Sequence, residues 1–377
     1  MNKSRSIKIA SLVTAITLAF APVAHATTWK AGGASSVNGL MAACKAKFQA
    51  ATGDDFPYNG TGSGTGKTGV HNGTMDFAFS DSFDAAPVAN QIQAPAFVWP
   101  VAILTNTGGS NKPLTLSTET IAKIFAGKIT RWDDEQIVAD NNRPITTIIY
   151  AKNADGSVKK DAKGTPIVLR TQTLTQKRIL PAKPITVFYR SANSGTSNNL
   201  TNAFNKLYPS IWTKAANDSF ATAFPGDITA NPQYFRGATG SGDVANGVKA
   251  TPYSITYAEV GFAKAPYNLA ITKVINAAGN AITPSSDSAM AAAAQATVAA
   301  DGKVTFAYDT KDADSYPFTA TTYALAVAGK ANSADIAKAL NYLSNNCAKD
   351  NPAEGFGAYS ATNAFAKAFQ AQLAKLK

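Results

Sequence analysis

The sequence predicts an α/β protein with more than one domain. Short apolar strands alternate with amphipathic helices along most of the chain, the pattern of sheets covered by helices. Once a leader over residues 1–26 is set aside, 351 of the 377 residues remain, more than one hydrophobic core usually fills. Hydrophobic residues make up 45% of the chain, which is ample for two cores.

The leader comes first. Lys3, Arg5 and Lys8 precede an apolar run from Ile9 to Phe20, and Ala24-His25-Ala26 supplies the small-x-small pattern of a cleavage site. That is the anatomy of a secretory signal peptide. The run is too short to read as a transmembrane helix, and no later stretch is long and apolar enough. A mature chain beginning near Thr27 is expected to be exported, periplasmic or secreted, and without a lipid anchor, because no Cys stands at the cleavage point. The formal charge of +11 falls to about +8 when the three leader cations are removed. No run of five or more basic residues and no RNA-binding aromatic motif accompanies it, so no nucleic-acid partner is expected.

Thr28 to Ala31 reads as the first strand, followed by a helix from about Val37 to Ala51 that Gly53 stops. Met75 to Phe79 alternates as a strand that runs into Ser80-Asp81. Ala94 to Leu104 reads as one longer apolar strand. Ser117 is placed to cap the next helix, with Leu116 and Ile121 as a hydrophobic staple, and Gly127 ends it. A strand from Ile185 to Phe188 leads into Arg190. Later helices are expected over about Ser197 to Leu207, Asp287 to Ala299, Ser333 to Cys347 and Ser360 to Leu376. Between Asn142 and Lys183, two β-rich segments surround Asp155-Gly156 and Lys163-Gly164; these turn formers imply a projecting, hairpin-like insertion.

Two cysteines follow the leader. Cys44 shares a helical face with Met41 and Phe48, and Cys347 with Leu340 and Leu343. Both therefore point toward a core, either paired there, as export permits, or as two separate buried thiols.

The run Gly60 to Thr68 resembles a phosphate-cradling P-loop but lacks its first glycine, since Thr61 stands there. A nucleotide hydrolase is excluded on that ground and on the exported location. What survives is a Gly/Ser/Thr loop entering a helix. His71 stands alone once the leader is removed, with no nearby Cys or acidic cluster, so neither a metal site nor a Ser-His-Asp triad is expected. No paired carboxylates stand out. No catalytic residue, metal or cofactor is assigned.

Four places share a theme. Ser35-Ser36 precede the first helix, Ser63 lies in the glycine-rich loop, and Asp81 ends a strand. The fourth is Arg190-Ser191-Ala192-Asn193-Ser194-Gly195-Thr196, which ends a strand and opens a helix. Helix N-termini present unpaired N–H groups and partial positive charge, and Arg adds a planar fork that matches an oxyanion. Alone, each segment fits ordinary helix capping equally well. In α/β layers, however, the carboxyl ends of strands and the helix starts that follow them converge on one crevice.

The ordered segments Ala31-Gly32-Gly33-Ala34-Ser35, Tyr58 to Ser63, Asp76 to Asp81, Ile124 to Glu135, Ile255 to Glu259 and Tyr316 to Tyr323 resemble the periplasmic phosphate-binding proteins of ABC importers, over nearly the whole mature chain. The resemblance implies a two-lobed periplasmic binding protein fold whose lobes close about two strand crossings. Lobe I would comprise residues 27–98 and 317–377, and lobe II residues 99–316 with the insertion at about 142–183. Both cysteines then fall in lobe I, which supports a Cys44–Cys347 disulfide. The phosphate contacts carry over to Ser35, Ser36, Ser63, Asp81, Arg190, Ser194, Gly195 and Thr196. The second contact is normally an apolar residue lending its N–H, and Asp often stands where this chain has Ala192. The implied partners of this monomer are inorganic phosphate, with arsenate as its mimic, and a membrane ABC permease. A binder of another tetrahedral oxyanion, or a secreted phosphatase or adhesion protein on the same scaffold, is the alternative.

Overall fold

The structure, a computed structural model, describes residues 26–109, 112–153, 158–162, 164–175, 178–357 and 363–376. The signal peptide read over residues 1–26 therefore lies outside the described residues except for Ala26. Among the described residues no helix is long and apolar enough to cross a membrane.

Two five-stranded sheets organise the chain. The first runs Tyr58–Asn59, Ala31–Gly33, Phe77–Ser80, Thr319–Val327, Gln91–Pro100; the second runs Phe235–Ala238, Thr186–Arg190, Ser254–Ala258, Ala102–Asn106, Ala270–Ile271. In each sheet the first three strands are parallel, and antiparallel strands complete it. Helices cover the sheets, and the inner parallel strands Ala31–Gly33, Phe77–Ser80 and Ser254–Ala258 are buried along their whole length, while the edge strands Tyr58–Asn59 and Phe235–Ala238 are partly exposed. This is the mixed α/β, two-lobed fold of periplasmic binding proteins.

The apolar stretch 94–104 is not one strand. It breaks at Pro100 and Val101: Gln91–Pro100 belongs to the first sheet and Ala102–Asn106 to the second. Every residue from Ile92 to Thr105 is buried, so hydropathy alone does not reveal the change of sheet. The chain returns just before Thr319. The two passages touch: Val101 N–H donates to Phe318 O at 2.7 Å, and Tyr316 Oη donates to Val101 O at 3.0 Å.

Local chemistry sets the element ends. Gly53 adopts the left-handed conformation that ends helix Asn38–Thr52. Ser117 Oγ accepts from Thr120 N–H at the start of Thr118–Phe125. The helix expected over 287–299 is shorter, Ser286–Ala294, because Thr297–Val298 pairs with Val304–Thr305 as a small hairpin; β-branched side chains favour that state. Ser333–Tyr342 continues through a π-helical turn, Leu343–Cys347. The last helix is Ala364–Leu373, and its expected start at Ser360 lies outside the described residues. Cys44 and Cys347 form a disulfide, with Cα atoms 5.3 Å apart, in the buried cluster that holds Met41, Phe48, Leu340 and Leu343.

In the insertion, Pro144–Tyr150 pairs antiparallel with Val168–Thr175. The ladder continues through bridges between Lys152 and Val158 and between Lys160 and Pro166. The turn dipeptide Asp155-Gly156 and Lys163 lie outside the described residues.

Candidate functional site

Each site residue sits at the end of a strand or at the start of the helix that follows one. Ala31–Gly33 delivers Ser35 and Ser36 to a single 3₁₀ turn that leads into Asn38–Thr52. Tyr58–Asn59 leads through a glycine loop to Ser63, the first residue of helix Ser63–His71. Phe77–Ser80 ends at Asp81. On the second sheet, Thr186–Arg190 ends at the arginine, and Ser194 caps helix Gly195–Leu207 with its Oγ accepting from Ser197 N–H at 3.4 Å. The parallel strands of both sheets thus direct their carboxyl ends, and the helix N-termini after them, into one crevice.

The two sheets meet there. Gly195 lies so close to the other side that a Cβ on it would stand 2.5 Å from Ser82 N and 2.7 Å from the Asp81 carbonyl carbon. Gly62, at φ 142°, would bring a Cβ within 2.7 Å of Asn193 O. Both positions need glycine for close approach, and Gly62 also for its backbone. A half-buried ion pair reinforces the contact: Lys67 Nζ lies 3.0 Å from Asp218 Oδ2 and donates to Ser82 Oγ at 2.7 Å.

Asp81, 2% exposed, is held by hydroxyls from three directions. Its Oδ1 accepts from Ser36 Oγ at 2.8 Å and from Thr322 Oγ1 at 2.6 Å, and its Oδ2 accepts from Thr196 Oγ1 at 3.2 Å. Its backbone N–H donates to Ser63 Oγ at 3.0 Å. Burial pushes its carboxyl above the ordinary range, against the opposing pull of these hydroxyls and of Arg190.

Arg190, also 2% exposed, is fixed along its length. Its N–H donates to Tyr257 Oη at 3.1 Å and its Nε to Thr239 O at 2.6 Å. Its Nη1 donates to Ser35 Oγ at 2.9 Å and to Ser241 Oγ at 3.2 Å. Its Nη2 is buried without a protein partner. A buried guanidinium nitrogen with both protons unspent is a costly arrangement unless an acceptor meets it.

The structure therefore brings Ser35, Ser36, Ser63, Asp81, Arg190, Ser194, Gly195 and Thr196 together. Ser36 contributes its side chain, as a donor to Asp81. Sequence reasoning missed three participants. Ser241, buried, opens helix Ser241–Ala250, and Thr239-Gly240-Ser241 carries the same strand–glycine–hydroxyl–helix signal as the other loops. Thr322 lies inside strand Thr319–Val327 among other threonines, and Glu259 directly follows strand Ser254–Ala258 as Asp81 follows Phe77–Ser80. Ser241 Oγ donates to Glu259 Oε1 at 3.1 Å, and burial pushes that carboxyl up to about 7. Tyr257, whose hydroxyl also meets Ser197 Oγ at 2.6 Å, is pushed up to about 12 by burial. Ala192 and Asn193 line a neighbouring cavity of about 430 Å³ with Thr61, Gly64 and Thr68. His71 is not alone: its Nε2 lies 2.6 Å from Asp84 Oδ2. Among the described residues, no three His, Cys, Asp or Glu side chains converge on a metal position.

Two mixed sheets whose parallel strands end on a buried Arg–Asp–hydroxyl cluster define a solute-binding module. In agreement, the PBP superfamily domain matches residues 21–345, and the chain belongs to that superfamily. The chain is 29% identical over 326 residues to the phosphate-binding protein PstS of Pasteurella multocida, covering 84% of this chain and 81% of the relative. It is 29% identical over 286 residues to PstS of Haemophilus influenzae, covering 74% and 72%. Among solved structures it is similar to a high-affinity periplasmic phosphate-binding protein, PfluDING, bound with phosphate, at 22% identity and a TM-score of 0.62, covering 91% of this chain and 93% of that one. It is also similar to a phosphate-binding protein from Stenotrophomonas maltophilia, at 20% identity and a TM-score of 0.59, covering 92% and 93%.

Proposed function

We propose that this protein is a periplasmic or secreted carrier that captures inorganic phosphate between two lobes and delivers it to a membrane ABC importer. The lobes are residues 27–98 with 317–377, and 99–316. Ser35, Ser36, Ser63, Asp81, Arg190, Ser194, Gly195 and Thr196 form the anion site.

One observation carries the reading. Arg190, whose Nη2 is buried and unpartnered, binds Ser35, and the adjacent Ser36 binds a carboxylate, Asp81, whose Oδ2 accepts from only one hydroxyl. A cation that seeks an acceptor next to an anion that seeks a donor fits a tetrahedral oxyanion that still bears a proton. Phosphate near neutral pH meets that description, and arsenate meets it equally. Sulfate does not. Charge-assisted hydrogen bonds of this kind contribute roughly 1.5–3 kcal/mol each. The names of the relatives support the same ligand. Because one carboxylate serves three hydroxyls at once, none of them is singled out as a nucleophile, and we read the chain as a monomeric carrier rather than an enzyme.

The test is calorimetry on mature protein stripped of ligand, titrated with phosphate, arsenate and sulfate. Phosphate and arsenate are expected to bind one per chain and far more tightly than sulfate. Equal affinity for sulfate overturns the ligand assignment, and steady release of phosphate from a generic ester overturns the carrier reading.

A further inference from the structure

The insertion is chemically unlike the rest of the molecule. Residues 142–183 carry nine basic residues and two acidic ones. They therefore supply +7 of the roughly +8 that follows leader removal, and the remainder of the mature chain is nearly neutral. The same segment holds every large hydrophobic side chain that is exposed among the described residues, from Ile148 to Ile179. Elsewhere such side chains are buried or half-buried. A soluble domain seldom concentrates both features on one projection.

The arm is built to present them. Its root is tied to the body: Arg143 Nη2 donates to Gly279 O at 2.8 Å, and Arg178 donates to Pro113 O and Lys112 O. Beyond the root, Lys152, Lys159, Lys160 and Arg170 are exposed. Ile148 and Tyr150, two apart on one strand, share a face, and Val168 pairs with Tyr150 across the ladder. Val168 is 51% exposed and Leu169, the extra residue at the bulge, 66%. Arg143, Lys273, Ile148 and Tyr150 also line a groove of about 550 Å³ at the root, with Asp314 as its acid.

We infer that the 142–183 arm docks the protein on an anionic phospholipid surface. Cations draw it to phosphate headgroups, and Ile148, Tyr150, Val168 and Leu169 enter the boundary between headgroups and acyl chains, the division of labour of interfacial segments. Charge complementarity selects this occupant. A second copy would oppose +7 with +7. A hydrated polyanion would answer the cations and leave the apolar side chains in water. The inference stands on the arm alone and does not depend on the anion held in the cleft.

The experiment is sedimentation of mature protein with large vesicles of neutral phosphatidylcholine, and with vesicles that also contain phosphatidylglycerol, at low and high salt. Binding to the anionic vesicles alone, weakened by salt, is expected. Lys159→Gln with Lys160→Gln should weaken it about twentyfold, given about fivefold per surface cation. Leu169→Ser should weaken it by about fivefold or more at unchanged charge. All three side chains are exposed, so folding is unaffected, and phosphate titration of the variants checks this independently. Absence of binding, equal binding to neutral vesicles, or full competition by a soluble polyanion with Leu169→Ser without effect each overturns lipid docking. So does a dimer in solution that the same variants dissociate, which would make the arm a contact between copies.

Discussion

Replacing Asp81 by Asn probes the ligand-selective element most directly. An ionised carboxylate offers about four lone-pair positions. In this protein Ser36 and Thr322 fill the two on Oδ1, and Thr196 fills one on Oδ2. One position on Oδ2 remains for the ligand. Protonated phosphate donates to it, which contributes roughly 1.5–3 kcal/mol. Sulfate brings no proton, so two negatively charged oxygens face each other. At a separation of about 4 Å, and at the effective dielectric of protein sites, that repulsion alone is about 4 kcal/mol. The wild-type protein should therefore prefer phosphate by roughly a thousandfold or more. In Asp81→Asn the carbonyl oxygen keeps Ser36 and Thr322, while the amide nitrogen faces Thr196 and the ligand as a donor. Repulsion of sulfate disappears, and the phosphate proton loses its acceptor. The phosphate-to-sulfate ratio should fall by roughly a hundredfold to a thousandfold. Calorimetric titration of both anions into both proteins measures this, with thermal melting as the check on folding. A folded variant whose ratio stays within tenfold of wild type refutes the role given to Asp81.

Four further outcomes are expected. Arg190→Lys loses the fork that reaches Thr239, Ser35 and the ligand together, so phosphate should bind on the order of thirtyfold to a hundredfold more weakly in the same titration. Gly195→Ala places a Cβ 2.5 Å from Ser82 N; the protein should stay folded, lose at least about tenfold in phosphate affinity, and show no contraction on adding phosphate in small-angle scattering. Glu259 has a folded-state pKa of about 7 against 4.5 for a free carboxyl, so the native state binds more protons between those values. Stability of the unliganded protein therefore falls as pH rises from 4.5 to 7 and levels off above, and Glu259→Gln should remove that slope and add on the order of 2–3 kcal/mol above pH 7, read by denaturant unfolding across pH. The Cys44–Cys347 bridge closes a loop of 303 residues, so a reductant should cost about 2–4 kcal/mol in the same assay; an unchanged midpoint speaks against the bridge.

The parts of this protein that were legible in the sequence are those with local causes. Gly53, Ser117 and Ser194 end or begin helices through their own backbone or side-chain chemistry, and each does so in the structure. The hydroxyl-rich helix starts that form half the site are legible for the same reason. The change of sheet at Val101 is not, because both flanking strands are equally buried and periodicity does not say in which sheet. Thr297–Val298 follows an alanine-rich helix and leaves it only because a partner strand arrives from Val304. Thr322 and His71 acquire their partners from 241 and 13 residues away, so no local pattern announces them. Ser241 is the instructive miss, since its loop repeats a signal already recognised at Ser35, Ser63 and Ser194.

Ala192 changes how the charge of Arg190 is met. No carboxylate touches the guanidinium directly. Its protein acceptors are a carbonyl and two hydroxyls, and Nη2 has none. Glu259 reaches it only through Ser241, which accepts from Arg190 Nη1 and donates its proton to Glu259 Oε1. An arginine paired at close range spends much of its field on its partner. Here that field is left for the ligand. The cost of a second buried acid in an anion site is limited by the same geometry. Burial outweighs the pull of Arg190 on Glu259 and lifts its carboxyl to about 7, so its protonated form is accessible near neutral pH. An entering phosphate dianion opposes a charge on Glu259 further and drives it toward the protonated form. At Asp81 burial pushes the carboxyl up, and the hydroxyls of Thr322, Ser36 and Thr196 oppose that push by donating to the charged form, the form that accepts the ligand proton. The two acids are thus separated in role by hydrogen bonding: one is held as an acceptor for the ligand, and the other gives up its charge when the ligand arrives.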